Sequence, residues 1–131
     1  MSQVIVDTDI ASYTFSWHTL ARRYSDALRG SELILSFMSI AELRMGAIAA
    51  RWGSRRRLLL ERFIQGFELA YSDNELCTIW ASIRANARAA GWALSPQDAW
   101  IGATALAMDA PLATNNRRDY ERIETLRLLS L

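Results

Sequence analysis

Three β-branched apolar residues near the N-terminus, Val4, Ile5 and Val6, are followed at once by Asp7. A short apolar run of this kind is typical of a strand that is buried on both faces, as in a parallel sheet. Ligands of open α/β sheets gather beyond the carboxyl ends of the strands. Because an acid there needs hydrogen bonds or a cation to offset its desolvation, we expect a site at this point. Thr8 could cap the following helix, and Asp7 could instead be only a helix cap without chemistry.

Apolar segments and helix-start signals alternate along the rest of the chain. The predicted strands cover residues 4–6, 32–37, 111–114 and 126–129, with a short extended piece at 70–72. The predicted helices cover residues 10–15, 17–28, a segment that begins at 38, 55–69, about 73–90 and 99–108. This alternation predicts one α/β domain over residues 1–131, with helices on both faces of a parallel sheet.

Composition excludes several classes of function. No apolar run approaches the ~20 residues of a membrane span, and the start of the chain lacks the pattern of a secretory signal, so we expect a cytoplasmic protein. The single cysteine, Cys77, cannot form an internal disulfide, and the single histidine, His18, excludes a multi-histidine metal site. The net charge is +1, so no overall basic field indicates nucleic acid.

Acidic residues stand at the predicted starts of helices as well as at the end of the first strand. Ser39 is a predicted N-cap with Glu42 three residues later, which forms a capping box. Ser95 is a predicted N-cap with Asp98 at the third helical position. Each acid could therefore be only a capping residue.

Topology gives these acids a second interpretation, because strand ends and the following helix starts share one edge of a parallel sheet. A polar stretch after the strand at 111–114 belongs to the same edge. Helix N-termini favour each carboxylate by about 0.3–1 kcal/mol, which offsets only part of their repulsion. A divalent cation would offset the rest, and an all-oxygen site without His or Cys suits Mg²⁺ or Mn²⁺.

Four segments, taken together, resemble the motifs of PIN-domain ribonucleases, in particular the VapC toxins of prokaryotic toxin–antitoxin modules. They read VDTD at 6–9, SIAELRMGA at 39–47, DAWIGATAL at 98–106 and LATNNRRDY at 112–120. The resemblance implies a three-layer α/β/α fold around a parallel sheet of about five strands. It also implies a Mg²⁺- or Mn²⁺-dependent endoribonuclease that cleaves tRNA or rRNA.

The resemblance implies the metal-binding acids Asp7, Glu42 and Asp98. The family's usual fourth acid falls on Asn116 in this chain, and Asp119, a turn later, could supply the missing carboxylate.

The resemblance also assigns supporting positions around these acids. Asp9 stands where the family usually has Asn, which adds an acid near the site. The residues expected to hold the phosphate or its hydration shell are Thr114, Asn115 and Asn116. Arg117 and Arg118 are candidates for contact with the RNA backbone, although they could be no more than a solvated loop.

The partners expected from the resemblance are a VapB-like antitoxin and a second copy of the chain, in a homodimer that forms a larger assembly with the antitoxin. The segment Trp52–Phe67, with arginines at 55–57, could border a groove for the antitoxin. Two other functions stay open. A non-catalytic PIN-like RNA-binding module is one. A haloacid-dehalogenase-type phosphatase is the other, but that fold normally needs a downstream Lys and this chain has none.

Overall fold

Five parallel strands form the sheet of this computed structural model, which describes residues 2–16 and 21–129. The strands are β1 (Gln3–Val6), β2 (Glu32–Ser36), β3 (Glu68–Ala70), β4 (Leu112–Ala113) and β5 (Leu128–Leu129). They lie in the order β3-β2-β1-β4-β5, so the N-terminal strand is central. All four pairings are parallel, which confirms the predicted sheet.

Helices cover both faces of the sheet. They are α1 (Thr8–Phe15), α2 (Ala21–Ala27), α3 (Phe37–Ala49), α4 (Ser54–Gln65), α5 (Asn74–Ala90) and α6 (Pro96–Ala107), and a 3₁₀ turn covers Arg117–Asp119. Val4 and Val6 pack into a core shared with α1–α4, whereas Ile5 packs into a second core shared with α5 and α6. β1 is therefore buried on both faces, as its apolar run predicts, and the fold has the expected α/β/α layers.

Several predicted element boundaries are wrong. The helix predicted over 55–69 ends at Gln65, and β3 occupies 68–70 rather than 70–72. The pairing of β3 with β2 accounts for the difference, because Glu68 lies opposite Ile34 and the ladder uses backbone groups that a longer helix would occupy. The helix predicted over 17–28 falls partly outside the described residues, and its described part is α2.

The N-terminus of α3 also differs from the prediction. Ser36, rather than Ser39, caps this helix, and its hydroxyl accepts a hydrogen bond from the Met38 N–H at 3.1 Å. As a result Glu42 lies in the second turn of α3 and is not the third residue of a capping box. Within residues 2–16 and 21–129, no helix is long and apolar enough to cross a membrane.

Candidate active site

Asp7 ends β1 at the carboxyl edge of the sheet. Its backbone N–H donates to the Ala113 carbonyl of β4 at 2.9 Å, and its Oδ1 accepts the Thr8 N–H at 2.8 Å. Asp7, and not Thr8, is therefore the N-cap of α1. Only 5% of Asp7 is exposed, so this cap is also a buried carboxylate at the place where a site was predicted.

One buried hydroxyl joins Asp7 to Asp98. The Tyr120 Oη lies 3.1 Å from the Asp7 Oδ1 and 3.1 Å from the Asp98 Oδ1. The second oxygen of Asp7, Oδ2, accepts the Thr114 hydroxyl at 2.7 Å. The structure thus brings together Asp7, Asp98 and Thr114, three residues that the sequence assigned to one edge of the sheet.

The start of α6 places Asp98 as predicted. The Ser95 hydroxyl accepts the Asp98 N–H at 3.0 Å, and Pro96 occupies the first turn. The Ser95 hydroxyl caps the Asp98 backbone and also helps to stabilise the Asp98 carboxylate, whose Oδ1 still reaches Tyr120 at 3.1 Å. Ser95 can therefore cap α6 while the Asp98 carboxylate contributes to the site.

Glu42 is linked to this group through Thr8. The Thr8 hydroxyl lies 2.7 Å from the Glu42 Oε1 and 2.9 Å from the Oγ of Ser39, which is fully buried. The sequence predicted that Thr8 and Ser39 cap their helices, and this is wrong. Instead, the Thr8 hydroxyl contacts both Ser39 and Glu42 and holds the Glu42 side chain against the start of α1. Glu42 contacts neither Tyr120 nor the other acids in the hydrogen-bond network.

Asp9 holds the loop that follows β4. Its Oδ2 accepts the Asn115 N–H at 3.1 Å and the Asn116 Nδ2–H at 3.2 Å. The Tyr24 hydroxyl of α2 donates to the Asn115 Oδ1 at 2.7 Å, and the Asn116 N–H donates to the Thr114 Oγ1 at 3.0 Å. The carboxylate of Asp9 therefore lies one hydrogen bond away from the side chain of Asn116.

The 3₁₀ turn that follows carries the remaining predicted residues. Arg117, Arg118 and Asp119 are all exposed. The charge of Asp119 helps to raise the pKa of Asp98, so this carboxylate lies near the site. That it replaces the fourth acid stays a prediction, as do the RNA contacts of the two arginines.

Desolvation dominates the electrostatics of the site. Burial, assisted by the charge of Asp9, raises the pKa of Asp7 to about 7, and burial also raises the pKa values of Asp9 and Asp98. Among the described residues no Arg forms an ion pair with these acids or with Glu42. Burial and the two neighbouring acids raise the pKa of Tyr120, which keeps its hydroxyl a donor.

The donor set suits a hard cation, because it consists of carboxylate oxygens that lack a positive partner in the described part of the chain. The arrangement is incomplete in one respect. In residues 2–16 and 21–129, no three acidic, His or Cys side chains are grouped closely enough to hold a metal ion. Asp7 and Asp98 fit as a pair of ligands. Glu42 is connected to Asp7 only through Thr8, whose hydroxyl contacts Glu42 and whose N–H donates to Asp7.

Tyr120 is the residue that the sequence reasoning missed. It lay within a motif that was recognised, LATNNRRDY, but its hydroxyl was given no role. A buried tyrosine hydroxyl needs a hydrogen-bond partner, and an aromatic residue in a polar turn after a strand was the available signal.

The chain is similar to known ribonucleases over nearly its whole length. The PIN domain family model matches residues 4–126. Ribonuclease VapC1 of Haemophilus influenzae (strain R2866) is 26% identical over 124 residues, which is 93% of this chain and 92% of that protein. The tRNA(fMet)-specific endonuclease VapC of Shigella flexneri is 26% identical over 127 residues, 97% of this chain and 96% of that protein.

A solved structure gives the same result at the level of the fold. The chain is similar to one in the crystal structure of DNA-bound VapBC from Salmonella typhimurium, with a TM-score of 0.86 and 25% identity. The similarity covers 98% of each chain. Because the family model spans nearly the whole sequence, this chain belongs to the PIN domain family.

Proposed function

We propose that this protein is an endoribonuclease toxin of a VapBC-type toxin–antitoxin module and that it depends on Mg²⁺ or Mn²⁺. One observation carries the proposal: Asp7 and Asp98, from β1 and α6, meet at a single buried hydroxyl with no cationic side chain paired to either in the described residues. Such a carboxylate pair is costly in a fold that needs it only for capping, but it supplies two of the oxygen ligands that suit a divalent cation.

Asp7 and Asp98 are the residues that would bind the ion. When bound, a divalent cation lowers the pKa of a water molecule and neutralises charge on the phosphate that is attacked. Glu42 has its Oε1 engaged by Thr8, so its other oxygen is available to orient the attacking water or to take up its proton. Since the Glu42 carboxylate is hydrogen-bonded to Thr8 rather than to the tyrosine bridge, this role fits Glu42 better than direct ligation.

The loop after β4 would hold the substrate. Asp9 fixes the backbone of Asn115 and the amide of Asn116, which leaves their remaining polar atoms to bind a phosphate oxygen or its water shell. Arg117 and Arg118 are exposed beside this loop, where their guanidinium groups can bind the next phosphates of the chain. We expect tRNA or rRNA as the substrate, and the cytoplasm as the place of action.

Expression of the protein alone should stop growth and produce new RNA ends. The reason is that cleavage of tRNA or rRNA blocks translation. Sequencing of RNA 5′ ends a few minutes after induction should show cuts at a small number of positions in tRNA or rRNA. Harmless expression of the folded protein at high level, with unchanged RNA ends, would contradict the proposal. It would favour a non-catalytic RNA-binding module instead.

A groove beside α4 is the proposed antitoxin site. It has a volume of about 1320 Å³ and is bordered by α1, α2 and α4. Phe15, Leu59 and Phe63 provide its apolar surface, and the four arginines that line it are Arg22, Arg55, Arg56 and Arg62. No acid is among the described residues that line it, so it suits an amphipathic antitoxin segment that carries carboxylates. The homodimer, whose surface the structure does not identify, stays a prediction.

Leu59→Asp should weaken antitoxin binding by at least about tenfold, because it places a charge in the apolar part of this groove. Leu58→Asp is the matched control, since Leu58 and Leu59 are neighbours of similar exposure, 52% and 48%, and only Leu59 lines the groove. Calorimetric titration of each variant with an antitoxin peptide measures the two affinities. Equal affinities of the two variants would place the antitoxin elsewhere.

A further inference from the structure

Tyr120 lies between the core and the site. It follows the 3₁₀ turn and is completely buried, with its ring in the core that α5 and α6 share with the sheet. Its ring also lies close to Gly102 of α6, where an added Cβ would come within 3.8 Å of it. The ring is therefore fixed by packing, and the hydroxyl is presented at a fixed point to the acids of β1 and α6.

The hydrogen bonds at the site divide the carboxylate oxygens into two sets. The Oδ1 atoms of Asp7 and Asp98 both face the Tyr120 hydroxyl at 3.1 Å, and the Asp7 Oδ1 also accepts the Thr8 N–H. The Asp7 Oδ2 accepts the Thr114 hydroxyl at 2.7 Å, and the Tyr120 hydroxyl bonds neither Oδ2 atom. Since each carboxylate oxygen has about two acceptor sites, both Oδ2 atoms keep capacity for a ligand.

We propose that Tyr120 is a positioning residue whose hydroxyl, which donates its single proton to the Oδ1 of Asp7 or of Asp98 in turn, orients both carboxylates so that their Oδ2 atoms are left for one divalent cation. This inference rests on the proposed function, because it concerns the metal site of the same reaction. The hydroxyl touches neither substrate nor attacking water in this account. It acts through the two ligands, as outer hydrogen-bond partners of metal ligands do when they orient them.

Tyr120→Phe tests this inference, because it keeps the packed ring and removes only the hydroxyl. The loss of an outer partner of this kind costs about 10–100-fold in metal affinity. We expect calorimetric titration with Mn²⁺ at fixed pH to show at least a tenfold weaker affinity, and the electron paramagnetic resonance spectrum of bound Mn²⁺ to change. At saturating Mn²⁺, kcat should fall while KM for RNA stays close to that of the wild type.

Tyr24→Phe is the matched control. Tyr24 is also buried, at 3% exposure, but its hydroxyl donates to the Asn115 amide oxygen and reaches neither Asp7 nor Asp98. This variant should bind Mn²⁺ with the affinity of the wild type. Circular dichroism melts of both variants establish that each is folded.

The outcomes separate this inference from the proposed function. Wild-type affinity for Mn²⁺ in Tyr120→Phe, or an equal loss in Tyr24→Phe, would overturn the positioning role and leave the proposed function intact. A wild-type protein that binds no Mn²⁺ at millimolar concentration would overturn both. A loss confined to Tyr120→Phe supports the inference.

Discussion

Asp98→Asn should reduce RNA cleavage by at least about 100-fold and remove the stabilisation that Mg²⁺ gives the wild type, yet leave the metal-free protein at least as stable. Oxygens that lie 3.1 Å from a common hydroxyl are at most about 6 Å apart, and two unit charges at that distance repel by about 3 kcal/mol at an effective dielectric of about 20. Screening, protonation and partial exposure reduce this figure. A gain of about 1 kcal/mol in the metal-free protein is therefore expected.

Thermal melts with EDTA and with Mg²⁺, beside one cleavage assay, measure this prediction. Asp109→Asn is the matched control, because it makes the same change at an almost fully exposed acid that pairs with Arg127. It should keep both the cleavage activity and the response to Mg²⁺. If Asp98 were only a helix cap, Asp98→Asn would be slightly destabilised, fully active and normal in its response to metal, and the catalytic interpretation would be abandoned.

The metal-free protein should become less stable as the pH rises from 5 to 8. Burial raises the pKa of Asp7 from an ordinary value of 3.8 to about 7, so the folded state binds its proton more tightly than the unfolded state does. Between these two values the unfolded chain carries fewer protons at this group, and the free energy of unfolding must fall with pH. For Asp7 alone the loss is about 2 to 3 kcal/mol between pH 5 and pH 8.

Urea denaturation in EDTA at several pH values tests this slope. Asp7→Asn should remove most of it, whereas Asp109→Asn should retain it. The partly buried acids Asp9 and Asp98, whose pKa values are also raised, leave a smaller decline of the same sign in Asp7→Asn. A wild-type stability that is constant or increasing over this range would show that Asp7 is not held in a desolvated, cation-free site.

Sequence patterns predicted the parts of the site that depend on local signals. The apolar run before Asp7 and the Ser95-Pro96 helix start placed two acids at one edge of the sheet, and the structure has both there. Two serines stand near the start of α3, and local spacing favoured Ser39. Both serines are completely buried, but Ser36 ends β2 and caps α3, whereas the Ser39 hydroxyl lies inside the helix and contacts Thr8.

The contacts that complete the site are not local, and this is why the sequence did not predict them. The bridge from Tyr120 to Asp7 spans 113 positions, and that from Thr8 to Glu42 spans 34. Both depend on the order of strands in the sheet and on the packing of the cores. The position of β3 was missed for the same reason, because its pairing with β2 decides a segment whose apolar pattern also fits a helix.

The most direct test of the account is RNA cleavage by protein that has been stripped of metal with EDTA and repurified. The account predicts no cleavage of a labelled tRNA or rRNA fragment in the stripped protein, full recovery on addition of Mg²⁺ or Mn²⁺, and no recovery in Asp98→Asn at any metal concentration. Undiminished cleavage by the stripped wild-type protein would contradict it.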